Sequence, residues 1–190
     1  MMMLILGCVL FFGVHSVHFV APAAREAGLR RLGKKKWMAL YSVIAGIGLV
    51  MIIIGYGAAR QDPSPVYVPP AWGRSAAGVL MLPVFPLLLA TYMPGRIQQF
   101  VRHPMLWATI LWAAAHLLAN GNWADIVLFG AFLVWAILDL LSFLYRPAKD
   151  IPRLPPKRWN DAIAVIGGLV IYGLFLVAIH RWLTGIPLIY

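Results

Sequence analysis

The chain alternates between long apolar runs and short polar segments that hold almost all of its charge. The runs cover about 3–22, 37–57, 75–93, 104–120, 124–145 and 161–183. Each is long enough, or nearly so, to cross a hydrocarbon core of about 30 Å. Lipid offers no water to backbone N–H and C=O groups, so each run is expected to form a helix that bonds its own backbone. The predicted architecture is all-α: a polytopic membrane protein built as a bundle of about six transmembrane helices, in a single domain over residues 1–190. The fourth run is the shortest. It is expected to begin on Pro104, a favoured first helical residue, with "GRIQQFV" before it as an interfacial helix.

Composition supports the same class. The chain is 62% hydrophobic and 12% charged, whereas soluble domains hold about 45–50% apolar and about 25% charged residues. The net charge of +10 would suit nucleic acid, but its placement argues against that partner. The basic residues sit in short connections, where they orient helices and meet anionic headgroups. Arg25, Arg30, Arg31, Lys34, Lys35 and Lys36 fill the first connection. Arg96 and Arg102 lie in the third, and Arg146, Lys149, Arg153, Lys157 and Arg158 in the fifth. Only Arg60, Arg74 and Arg181 fall on the other side. The positive-inside rule then puts both termini on the non-cytoplasmic side. The second connection, "GAARQDPSPVYVPPAWGR", is proline-rich and expected to be extended, with Tyr67 and Trp72 at headgroup level. The first run lacks the positive leader of a cleaved signal, so it is read as a retained span. Cys8 is the only cysteine, and there is no CxxCH motif, so any haem would be held non-covalently.

Polar groups inside spans are expensive and need a reason. They are His15, Ser16, His18, Asn120, Asp125, Asp139, Ser142 and His180, with His103 at a boundary. A neutral imidazole near mid-membrane can bind iron. His15 can do this, or it can hydrogen-bond a serine or a carbonyl. His18, about one turn nearer the interface, can snorkel to it. His116 shares a helix face with Trp112, Thr109 and Asn120, and "AAA" at 113–115 allows close approach by a helix or a flat ligand. It can also bond across helices. Asp139 can pair with a base, orient a metal-bound imidazole from behind, or relay protons. Depth does not choose a histidine pair: His116 and His103 are each displaced from His15 by roughly 9 Å, in opposite directions.

"GVHS…LR" in the first span, followed by "RHPMLWA…W…AHLLANG", resembles the NnrU family of bacterial membrane proteins. It is similar, more distantly, to plant zeta-carotene isomerase. The resemblance covers most of the chain, and "RHP…AHLLANGNW" is its most specific part. It implies a non-covalent haem b with His15 and His116 as axial ligands of the iron. Trp112 and Thr109 would border the cofactor. Asp139 and Arg102 would support it from a second layer. The resemblance, and not depth, selects His116 over His103; read from the residues alone, His103 and His18 are the alternate ligands. The isomerase has a further histidine after its second hydrophobic segment, where this chain reads "IIIGYGAARQDP". That departure weighs against carotene isomerisation. "RHP" also occurs in isoprenylcysteine-type methyltransferases, but here "MLW" follows it in place of their tyrosine-bearing pattern.

The resemblance implies a multi-pass protein of the bacterial inner membrane with a redox or accessory role in nitrite or nitric oxide reduction. The alternatives are a haem-dependent isomerase of a lipid-soluble polyene, or a small transporter or assembly factor without haem. The expected partners are the lipid bilayer and either a lipid-soluble substrate or a membrane redox partner.

Overall fold

The computed structural model describes residues 1–147, 151 and 153–188. Lys149, one of the basic residues of the fifth connection, lies outside them. The described residues are mostly helical and hold no strand, with a single isolated bridge between Pro65 and Asn122. The helices are α1 (Met2–Val20), α2 (Pro22–Ala59), α3 (Gly73–Met81), α4 (Val84–Tyr92), α5 (Arg96–Val101), α6 (Pro104–Ala119), α7 (Trp123–Ser142), α8 (Asn160–Leu174) and α9 (His180–Thr184). A π-helical turn, Phe175–Ile179, joins the last two.

Among the described residues, five helical stretches are long and apolar enough to cross a membrane: α1, α2, the pair α3–α4, α7 and the stretch Asn160–Thr184. That is one fewer than the six apolar runs suggest. The difference is α6, whose 16 residues extend only about 24 Å at 1.5 Å per residue. Pro104 opens it, as expected. The expected short helix before it is present as α5. Pro83, which has no N–H to donate, separates α3 from α4.

The first connection departs from the sequence reading. Residues 25–36 are helical and belong to α2. Good helix formers dominate this stretch. Pro22 stands at its start, and Glu26 pairs with Arg30 one turn on at 3.7 Å. The break falls at Gly33, whose φ of 75° suits a residue without a Cβ. The proline-rich part of the second connection, residues 60–72, carries no helix, as its prolines predict. Val66 and Tyr67 both donate their backbone N–H to the Gly121 carbonyl, at 2.8 and 3.2 Å.

The chain divides into two compact units. Unit 1, Met1–Pro69 with Asn120–Pro147, packs α1 along α2 and sets α7 against both. Small residues let the first two backbones approach: a Cβ on Gly7 would stand 2.7 Å from the Ile52 backbone nitrogen, and one on Gly48 2.7 Å from that of Phe11. Asp125 opens α7, accepting the Asn122 backbone N–H at 3.2 Å and the Tyr56 hydroxyl of α2 at 2.7 Å. Unit 2, Pro70–Ala119 with Ala148–Tyr190, packs α4 against α6 and α8, and α3 against α6. Its core is Val84, Leu87 and Ala108, with Met81, Leu111 and Trp112 packed on it. Many large apolar side chains in both units are exposed, among them Val9, Val43, Ile53, Ile166 and Val177. A soluble protein would bury such residues, whereas lipid accommodates them.

Candidate functional site

Unit 1 contains His15, His18 and Asp139; unit 2 contains Arg102, His103, Thr109, Trp112 and His116. His15, on α1, is half-buried in an aromatic surround. Its ring centroid lies 4.2 Å from Phe11, 5.3 Å from Tyr41 of α2 and 5.9 Å from Trp135 of α7. Its Nδ1 donates to the Phe11 carbonyl at 2.7 Å. A carbonyl can only accept, so the neutral ring carries its proton on Nδ1 and its lone pair on Nε2. The Trp135 indole N–H beside it is buried and meets no acceptor among the described residues.

His116, on α6, has the same bond to its own helix. Its Nδ1 donates to the Trp112 carbonyl at 2.8 Å, and the Trp112 ring lies 5.1 Å away. The neutral tautomer again leaves the lone pair on Nε2. Thr109 donates its hydroxyl to the Met105 carbonyl one turn back, at 2.9 Å.

His18 does not simply snorkel. Its Nε2 meets the Asp139 carboxylate of α7 at 3.0 Å. Arg146 binds the same carboxylate oxygen. Its Nε also donates to the Ser142 hydroxyl at 2.6 Å, and its guanidinium lies 3.9 Å from the centre of the Phe143 ring. Ser142 in turn donates to the Asp139 carbonyl at 2.6 Å. The imidazole that Asp139 engages is therefore that of His18, and the charge that balances it is Arg146. All three side chains are largely buried, with 20% or less of each exposed. The network ties α1 to the end of α7.

Reading Arg146 as an ordinary residue of the fifth connection missed this role. The signal was the spacing of Asp139, Ser142 and Arg146, three and four residues apart, which places them on one helical face.

The "RHP" segment forms a tight turn. Arg102 has φ 60° and ψ −50°, and the His103 N–H donates to the Val101 carbonyl at 2.7 Å. This is a γ-turn with positive central φ, a strained conformation for a residue with a Cβ. The turn lets Pro104 start α6, and the Leu106 and Trp107 N–H groups of its first turn donate to the His103 carbonyl. The Arg102→Gly variant is expected to unfold at a higher temperature, gaining about 1 kcal/mol from relief of that strain. A lower midpoint would show that the arginine side chain compensates for the turn.

Among the described residues, no group of three or more His, Cys, Asp or Glu side chains is arranged to hold a metal ion. The family model described as NnrU protein matches residues 3–188, nearly the whole chain. No curated protein and no solved structure matches.

Proposed function

The chain belongs to the NnrU family, and from that premise we propose that it is a membrane carrier of haem b with His15 and His116 as the axial ligands. Its role would be redox or accessory, in the service of nitrite or nitric oxide reduction. The observation that carries this reading is the common state of the two rings. Each imidazole has its Nδ1–H held by a carbonyl of its own helix, which fixes the tautomer in which Nε2 is the basic nitrogen, the form that ligates a metal. Metal-bound histidines are commonly oriented by such a bond.

The donor chemistry fits the cofactor. A porphyrin brings four nitrogens of its own, so two neutral imidazoles complete the iron without a larger protein cluster. When bound, haem b supplies a one-electron couple. The protein's part is to fix and shield the ligands. The Phe11 carbonyl sets the His15 tautomer, while Phe11, Tyr41 and Trp135 surround that ring with apolar surface. Trp112 does both for His116, through its carbonyl and its ring. Held by His15 and His116, the group would supply electron transfer in preference to gas binding. The charge bias of the connections supports an orientation with both termini on the non-cytoplasmic side, which takes α6 as a short sixth crossing beside the five longer ones.

The test is haem content per chain after expression with ample haem. His15→Ala and His116→Ala are each expected to lose most of the bound haem, while His103→Ala and His18→Ala keep it. Helix content measured by circular dichroism serves as the folding control. Wild-type haem content in a folded His15→Ala or His116→Ala protein would contradict the assignment.

A further inference from the structure

In unit 2 the chain leaves one membrane-crossing stretch at Tyr92 and enters another at Asn160. The two ends are clamped together. The Asn160 side chain donates to the carbonyls of Pro94 and Pro155, at 2.8 and 3.2 Å, and the Leu154 N–H donates to the Tyr92 carbonyl at 2.9 Å. Between them lies a wide-mouthed hollow of about 500 Å³, lined by Arg96, Gln99, Lys157, Arg158 and Asp161 among others.

Among the described residues of this lining, the single carboxylate is already engaged. Asp161 accepts the backbone N–H groups of Arg96 and Ile97, at 2.8 and 3.1 Å. Gly95 leaves room for that contact, since a Cβ there would collide with the Asp161 carboxylate. Arg96, Lys157 and Arg158 are exposed, and none forms a salt bridge among the described residues. The hollow therefore presents three cations and an amide to a space large enough for a small anionic group. Chain neighbours of the lining mark its level in the bilayer: Trp159, next to Arg158, is 59% exposed and Phe100, next to Gln99, is 89% exposed, and the Arg158 guanidinium lies 4.7 Å from the centre of the Trp159 ring. Exposed aromatics beside basic residues at the ends of spans belong at the headgroup layer.

We propose that this hollow is a phosphate-binding site at the membrane surface and that its occupant is the headgroup of an anionic phospholipid. Arg96, Lys157 and Arg158 supply the charge and Gln99 a hydrogen bond, while acyl chains lie along the apolar outer faces of the neighbouring spans. Basic hollows at the ends of spans recognise anionic lipids in this way. The chemistry is shared by a lipid phosphodiester and by free phosphate, and the source is separated experimentally.

The detergent-purified full-length protein is titrated with phosphatidylglycerol, phosphatidylcholine or inorganic phosphate, and the thermal unfolding midpoint is read. Phosphatidylglycerol is expected to raise the midpoint at far lower concentration than phosphatidylcholine. The triple variant Arg96→Gln, Lys157→Gln, Arg158→Gln should need about a hundredfold more of it, and Arg158→Gln alone about fivefold more. The variant Lys34→Gln, Lys35→Gln, Lys36→Gln removes equal charge elsewhere and should respond like wild type. Protection by inorganic phosphate alone, lost in the triple variant, would keep the anion site but overturn the lipid as its source. Equal protection by both lipids with none by phosphate, or a triple variant that responds like wild type, would overturn the site itself.

Discussion

The Asp139→Ala variant is expected to lose about 3 kcal/mol of unfolding free energy, because it leaves the largely buried Arg146 guanidinium without its counter-charge. The loss should appear as a lower midpoint in a denaturing-detergent titration. His18 contributes a hydrogen bond between helices, and such bonds in membranes average about 0.6 kcal/mol. His18→Ala should therefore cost far less than Asp139→Ala. The double variant Asp139→Leu, Arg146→Leu removes both charges and should recover much of the single-variant loss, since a buried pair is often replaceable by apolar side chains of similar volume. Equal losses from His18→Ala and Asp139→Ala would mean that the arginine is satisfied by other groups, and the network as described would be wrong.

The second large effect belongs to the contact between α1 and α2. Gly48→Leu is expected to cost about 3 kcal/mol. Its Cβ would meet the Phe11 backbone nitrogen at 2.7 Å, and backbone cannot turn aside as a flexible side chain can. The helices would have to separate, breaking the packing around Gly7 and Ile52 as well. Gly46, two residues away on the same helix, has nothing within 4 Å of an added Cβ. Gly46→Leu should be tolerated, and by helix propensity it is slightly favourable. Detergent unfolding of the two variants side by side checks the contrast. Similar midpoints would contradict the close approach.

The all-helical membrane fold is legible in the sequence because the bilayer imposes a simple rule on apolar length, and five runs obey it. The sixth shows the limit of the rule. The apolar run beginning at Pro104 makes a helix, but one too short to cross unaided. The basic segment 25–36 was also hidden. Charge density marks it as lying outside the hydrocarbon, yet Ala, Leu, Glu, Arg and Lys all favour helix, and only Gly33 interrupts it. Among the polar residues, the cost of burying a carboxylate singled out Asp139, and the expectation of a base beside it is met by His18 and Arg146. Which base would fill that place depended on how α1 packs against α7, and apolar spacing does not encode that. The Nδ1 bonds of His15 and His116 were equally out of reach, because any helical histidine can turn toward its own backbone or away from it. The basic hollow near Arg96 joins residues about 60 positions apart, and in the sequence they read only as ordinary members of two connections.

The central claim is that a pair of imidazoles holds an iron porphyrin in this membrane protein. The most direct measurement is the absorption spectrum of the purified wild-type protein, oxidised and then reduced, together with its iron content. The account predicts one haem b per chain, with the low-spin signature of two nitrogen axial ligands in both states. A folded protein that emerges colourless and iron-free from cells supplied with ample haem would contradict it.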